Sequence, residues 1–378
     1  MPSPKLKIVA DENMPQVEEI FSEFGGVILR PGRNLDAAEL YDADLLLVRS
    51  ITQVNQALLG NSTVNFVGTA TIGTDHIDKT YLQQEGIGFS NAPGCNAEAV
   101  VDYVISSIFS LAQEQGFAPE NRTYGIVGVG NVGSRLQKRL QQCGFNVLLN
   151  DPPRAKQEAG FVELDQLISE ADFICLHTPL TREGDCPSYH LFSEAELKRL
   201  RQGAVLLNAG RGPVIDNQAL YQVGQERPDL SFVLDVWEHE PSVDGELAQR
   251  CSRVSPHIAG YSLDGKIRGT YMLYQAYCEH IGQSVNKRLE DFLPEPELAH
   301  IDQSDLTTLQ LIQKVYDQNI DDKNLRDTMI HPEDKQREAF DQLRKQYRVR
   351  RELSSLTIHN PKQPELLAAM GFQLADNE

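Results

Sequence analysis

The chain lacks any paired-cysteine pattern. Its six cysteines, Cys95, Cys143, Cys175, Cys186, Cys251 and Cys278, are scattered, with no C-x-x-C and no zinc spacing. A disulfide framework and a metal site are therefore not expected, and the thiols read as reduced ones of a cytoplasmic protein. No apolar run approaches the ~20 residues a membrane-spanning helix needs. The opening residues, MPSPKLKIVADENMP, lack the apolar stretch of a signal peptide. Positive charge is also scarce: 35 Lys and Arg stand against 54 Asp and Glu, a net charge of −19. Nucleic acid needs a basic face, so neither a nucleic-acid nor a membrane partner is expected. An anionic substrate would have to be met by local cations against an unfavourable average field. No repeat and no low-complexity tract occurs.

What remains is an ordinary globular composition, 40% hydrophobic and 24% charged. A length of 378 residues exceeds what one core usually holds, so two or three domains are expected. Short apolar runs at 7–10, 45–48, 66–68, 125–127, 147–150, 173–176, 205–208 and 232–234 read as strands. Between them lie helical patterns. In 97–113, Val100, Val101, Val104, Ile105, Ile108 and Leu111 recur at helical spacing. Such alternation predicts an α/β fold with two Rossmann-like, doubly wound parallel-sheet domains and an interdomain cleft. The boundaries are expected at 1–95 for a substrate-binding lid domain, completed by 260–284, and at 96–259 for a dinucleotide-binding domain. Residues 285–378 lack Gly-rich turns between strands and are dense in charge, as in RKQYRVRRE (344–352). SSLTIHN and PELLAAMGFQL suggest strand, helix, strand, and a separate small α+β dimerisation domain is expected there.

Residues 123–133 read TYGIVGVGNVG. Gly128, Gly130 and Gly133 form G-x-G-x-x-G between a strand and a helix. The first permits the tight turn, the second lets a pyrophosphate approach the backbone, and the third lets helix and strand pack closely. The helix start offers free N–H groups to the anion. Asp151 ends the next strand, 18 residues after Gly133. An acid there can accept from both ribose hydroxyls and repels a 2′-phosphate, so NAD is expected rather than NADP.

Three further segments end strands: LLNAGRGPVID with Arg211, FVLDVWEHEP with Asp235 and Glu240, and VSPHIAGY with His257. Residues just past the carboxyl ends of parallel strands line the ligand crevice. Oxidising an alcohol needs a group to take the hydroxyl proton, and a neutral imidazole such as His257 can do so. Glu240 would orient that ring from its other nitrogen. Arg211 offers a fork of donors to a carboxylate and the reacting oxygen. Asp235 either lies near the nicotinamide amide or caps its turn. His177 and Thr178 line the cofactor site or pack the strand end.

In this order, the glycine motif, Arg211, Glu240 and His257 resemble the D-isomer-specific 2-hydroxyacid dehydrogenases. The resemblance is closer to one branch that acts on a small phosphorylated acid. It is carried by ADENMP (10–15), VRSITQVN (48–55), FVGTATIGTDHID (66–78), NAPGCNAEAVVDYV (91–104), GIVGVGNVGSRL (125–136), NDPPRA (150–155), HIAGYSLDGKIRGT (257–270) and the tail stretch at 350–356. It implies substrate contacts at Ser50, Thr71 and Tyr261. It implies NAD contacts at Asn131, Val132, Asp151, Thr178, Ala209, Gly210, Arg211, Asp235 and Gly260, and a homodimer. A phosphate on the substrate needs positive partners, for which Arg49 and the tail residues Arg350 or Arg351 are candidates. The rival readings are a relative acting on 3-phosphoglycerate and a non-enzymatic, NAD-sensing corepressor.

Overall fold

The computed structural model describes residues 6–330 and 332–375. The outermost ends of the expected domain spans, at 1–5 and 376–378, lie outside them. The chain divides into two compact units, Met1–Asn96 with Ser262–Glu295, and Ala97–Tyr261 with Pro296–Glu378.

The first unit holds a five-stranded parallel sheet made of β1 (Leu6–Asp11), β2 (Gly25–Arg30), β3 (Leu45–Val48), β4 (Phe66–Thr69) and β5 (Gly88–Asn91). Its strand order is β2-β1-β3-β4-β5. Strand β3 reads LLLV with every residue buried, as a parallel strand covered on both faces requires. One face is covered by the helix Leu263–His280, whose Leu273, Tyr274 and Tyr277 share a core with Phe21, Phe24 and Phe66. Ser262 caps that helix, accepting from the Gly265 N–H at 2.9 Å. A Cβ on Gly269 would lie 3.3 Å from Ala70 O, so the helix runs close to the strand ends.

The second unit holds a six-stranded parallel sheet: β6 (Thr123–Val127), β7 (Asn146–Asn150), β8 (Phe173–Leu176), β9 (Val205–Asn208), β10 (Ser231–Leu234) and β11 (Arg253–Val254). Its order is β11-β10-β9-β8-β6-β7. The two-residue period of a strand divides the side chains between two cores. Tyr124, Ile126, Phe173, Cys175, Val205 and Leu207 enter one. Val127, Ile174, Leu176, Leu206, Phe232 and Leu234 enter the other. The chain order reverses at β6, which lies between β7 and β8, and that is the switch point where such sheets bind ligands.

The C-terminal segment forms a small parallel sheet of β12 (His300–Asp302), β13 (Thr357–His359) and β14 (Gln373–Leu374), with the helix Pro364–Ala369 between the last two strands. The expected strand, helix and strand are thus present. The segment does not keep a core to itself, however. Leu311, Ile312, Tyr316, Leu353, Ile358, Leu367 and Phe372 pack into the same cluster as Val104 and Ile108 of the helix Ala97–Gln115. The reason lies in that helix. It is buried almost all round, Asp102, Ser106, Ser107 and Ser110 included, so its face away from the sheet also needs cover. Ser107 donates to Gln318 across this contact at 3.1 Å.

Candidate active site

The glycine turn sits at the switch point. Gly128 adopts φ +87°, and a Cβ there would meet the Thr178 N–H nitrogen at 2.8 Å. A Cβ on Gly133 would lie 2.1 Å from Gly128 O, whereas one on Gly130 would meet nothing within 4 Å. The three glycines therefore do three jobs: turn, open approach and tight packing. Gly133→Ala should force the turn open at about 1–3 kcal/mol, weakening NAD roughly tenfold or more. Titrating NADH fluorescence reads this directly, and an unchanged Kd would show that the turn tolerates the methyl. Asn131 and Val132 open the helix Asn131–Gln142 beside Gly130. Asp151 holds the turn from the side. Its Oδ2 accepts from the Val129 N–H at 2.8 Å and its Oδ1 from the Arg154 N–H at 3.1 Å. Each oxygen keeps a second lone pair for a ribose hydroxyl. Arg154 lies close by, but Glu158 engages its guanidinium at 2.6 Å.

The residues present fit a dinucleotide. Beside the turn, Thr178 Oγ1 and both ring nitrogens of His177 are buried and without a partner among the described residues. Burial pushes His177 down to about 4, so its ring is neutral at pH 7. A Cβ on Gly210 would come within 3.2 Å of Leu176 O, so the 209–211 loop crosses close over the end of β8.

The loop after β9 is shaped by Asn208, which the sequence reading passed over. Its Oδ1 accepts from the Gly210 N–H at 3.0 Å and its Nδ2 donates to Arg211 O at 3.0 Å. A buried amide closing an apolar LLN strand is the signal that could have revealed it. Arg211 donates to Gly210 O at 2.9 Å and forms no ion pair among the described residues. A Cβ on Gly212 would lie 1.9 Å from Trp237 O. This forces the Arg211 loop against the turn that carries Glu240.

Glu240 and His257 meet as expected: His257 Nδ1 lies 2.8 Å from Glu240 Oε2. Glu240 Oε1 accepts from the Trp237 N–H at 2.9 Å, which fixes the carboxylate plane. Burial pushes the Glu240 carboxyl up. The His257 hydrogen bond and charge outweigh this, with help from the Trp237 N–H, and hold it below its ordinary value. The pair is thus a carboxylate facing Nδ1, with Nε2 left for chemistry.

Asp235 holds the turn that carries His257. It is buried, and its Oδ1 accepts from Ser255 Oγ at 2.6 Å and the Ile258 N–H at 2.8 Å. Both of its oxygens are 3.1 Å from the Ala259 N–H, and its carbonyl accepts from the His257 N–H at 2.7 Å. The single tryptophan joins the same device by donating from Nε1 to Ser255 O at 3.1 Å. His257 itself sits at φ +56°, in the left-handed region. Gly260 and Tyr261 follow directly, and the Tyr261 N–H donates to Ile258 O at 2.8 Å.

The remaining expected residues lie in the first unit. Ser50 is exposed just past β3. Thr71 Oγ1 donates to Gly73 O and pairs with Thr69 Oγ1, each at 2.8 Å. Arg350 does not suit the phosphate role. Only 1% of it is exposed, because its guanidinium is committed to main-chain carbonyls inside the second unit. Lys266, missed in the sequence, lies one turn into the helix Leu263–His280. Burial and the neighbouring Arg49 push its ammonium down to about 8.

Comparison with known proteins agrees with this geometry. Residues 102–259 match the family described as D-isomer specific 2-hydroxyacid dehydrogenase, NAD binding domain, and residues 292–371 match a domain family of unknown function, DUF3410. An erythronate-4-phosphate dehydrogenase of Pseudomonas fluorescens (strain Pf0-1) is 50% identical over 97% of this chain and 99% of its own. One from Pseudomonas putida (strain GB-1) is 48% identical over 98% and 100%. Among solved structures, an NAD+-bound 3-phosphoglycerate dehydrogenase of Entamoeba histolytica shares the fold, with a TM-score of 0.61 and 23% identity over 75% of this chain and 99% of that one. The chain belongs to the erythronate-4-phosphate dehydrogenase family, within the D-isomer specific 2-hydroxyacid dehydrogenases.

Proposed function

We propose that this protein oxidises 4-phospho-D-erythronate to 2-oxo-3-hydroxy-4-phosphobutanoate, with NAD becoming NADH and one proton released, as a step of vitamin B6 biosynthesis. The observation that carries the reading is the Glu240–His257 pair at 2.8 Å in a unit whose glycine turn is built for a dinucleotide. NAD supplies the hydride acceptor at C2. His257 Nε2 takes the hydroxyl proton, and Glu240 stabilises the imidazolium that forms. Arg211, without an internal counter-ion, receives the substrate carboxylate and polarises the C2 oxygen. Gly128, Gly130, Asn131, Val132, Gly133, Asp151, Thr178, Ala209, Gly210 and Gly260 hold the cofactor. Ser50, Thr71 and Tyr261 contact the substrate. The test is NADH formation with 4-phospho-D-erythronate beside 3-phosphoglycerate and D-lactate. A preference for either rival acid would reassign the substrate, and NAD binding without turnover of any acid would favour the corepressor reading.

The substrate phosphate is met by Lys266 together with Arg49, two cations brought together in the first unit. Lys266 is depressed below the ordinary lysine value, so it is charged below about pH 8 and neutral above it. For the wild type, kcat/KM should therefore fall above about pH 8 as the cation is lost. Lys266→Gln should raise KM about tenfold for the phosphorylated acid, by losing one charged hydrogen bond, and remove that alkaline limb. An equal rise for unphosphorylated D-erythronate would reject the assignment.

We also propose a cytoplasmic homodimer, formed through residues 285–378. None of the six cysteines forms a disulfide, which suits a reducing compartment, and no helix among the described residues is long and apolar enough to cross a membrane. Ile330 and Val349 of that segment are exposed apolar side chains. Sedimentation equilibrium of the full chain tests the dimer, and a monomer mass would end that proposal.

A further inference from the structure

Burying a guanidinium costs several kcal/mol unless its donors are satisfied, and an apolar side chain of similar size often serves stability better. Arg350 is nevertheless one of the largest fully buried side chains among the described residues. It lies flat against Tyr316, with its guanidinium carbon 3.6 Å from the ring centroid. Its hydrogen bonds go to two backbone positions far away in sequence. Nη1 donates to Ala259 O at 3.0 Å, and Nη2 donates to Ala99 O at 2.6 Å. Ala259 is two residues past His257.

The stretch 257–259 is therefore gripped on two sides. The Asp235 carboxylate takes the N–H groups of Ile258 and Ala259, and Arg350 takes the Ala259 carbonyl. Next to this grip, Leu353 N–H donates to Asp102 at 2.9 Å, and Arg139 Nη1 donates to the same carboxylate at 2.8 Å. These bonds tie the 350–353 strip to the helix Ala97–Gln115. Tyr347 stands edge-on to Tyr261 at 5.7 Å between ring centroids. The tail thus touches the catalytic loop and the residue after it.

We infer that Arg350 is a positioning residue: it fixes the His257 loop through the Ala259 carbonyl, and this gives the C-terminal segment a part in catalysis. The inference rests on His257 being the base. A general base works only within hydrogen-bond reach of the proton it takes, and a displacement of about 1 Å can cost about a hundredfold in rate.

The test compares Arg350→Met, Arg350→Lys and Leu367→Ala in the full-length holoenzyme. Leu367 is buried in the same tail core and has no bond to the loop, so its truncation reports tail stability alone. The readouts are kcat, the Kd of NADH and the thermal midpoint. Arg350→Met should lower kcat tenfold to a hundredfold with the Kd of NADH within about twofold. Arg350→Lys, which keeps the charge and a donor, should recover part of that loss. Leu367→Ala should lower the thermal midpoint with kcat near wild type. If Arg350→Met keeps wild-type kcat, or if Leu367→Ala loses kcat in the same proportion to its thermal midpoint, the inference fails. Should an Arg350→Met chain not fold, Arg350→Lys and Leu367→Ala alone decide by the same comparison. An inactive His257→Asn beside a fully active Arg350→Met would overturn this inference and leave the base intact. A fully active His257→Asn would instead remove the base itself.

Discussion

His257→Asn is expected to lower kcat by about 10²- to 10⁴-fold while leaving NAD binding within about twofold, because general-base catalysis contributes on that order. Asparagine is the informative replacement. His257 occupies φ +56°, a region that asparagine tolerates better than most residues, so the loop should keep its shape. The asparagine amide can still donate toward Glu240, yet it cannot accept a proton from the substrate hydroxyl. Initial rates of NADH formation with 4-phospho-D-erythronate measure the loss. A rate within tenfold of wild type would take His257 out of the chemistry. Glu240→Gln isolates the orienting role: Trp237 N–H can still be accepted, but the charge facing the imidazolium is gone. Because the His257 hydrogen bond and charge outweigh burial and hold the Glu240 carboxyl below its ordinary value, its protonation should not limit the rate in the neutral range.

Arg211→Gln should cost about 10²- to 10³-fold in kcat, the usual loss when a preorganised donor at a developing charge is removed. Its effect on KM should be smaller than its effect on kcat, because the bond to the C2 oxygen strengthens as that oxygen gains carbonyl character and the carboxylate contact alone is shared with the ground state. The loop itself should survive. Asn208 shapes it through main-chain atoms of Gly210 and Arg211, and Gly212 fits against Trp237 O without any help from the guanidinium. Arg211→Lys is not a rescue, since one ammonium cannot present the planar fork that holds a carboxylate and a neighbouring oxygen together. Full retention of kcat in Arg211→Lys would show that a point charge suffices and would discard the fork.

The sequence reading failed in instructive places. Strand β2 reads GGVILR, opening on two glycines with a half-exposed pattern, and β5 reads GFSN with no apolar run. Edge strands are buried on fewer sides, so their residue choice is freer. The tail was read as a domain of its own because its charge density hides its apolar positions. Leu311, Ile312, Leu353 and Leu367 are spread across several short elements and become a core only when the helix Ala97–Gln115 supplies the other half. In the sequence Arg350 is one of several candidate partners for a substrate phosphate, because a dianion bound by an acidic protein needs local cations. Only the folded chain shows that Tyr316 and two carbonyls enclose it.

By itself the sequence determined the parallel α/β architecture and the dinucleotide turn, since each depends on residues whose spacing along one chain segment carries its own mechanism, and from the same strand ends it put forward Arg211, Glu240 and His257 as candidates. Only the tertiary structure shows which groups Asp235 and Arg350 bond and that Arg49 neighbours Lys266. Those contacts arise from atoms brought close by folding across tens to hundreds of residues, and no local periodicity encodes such a distance.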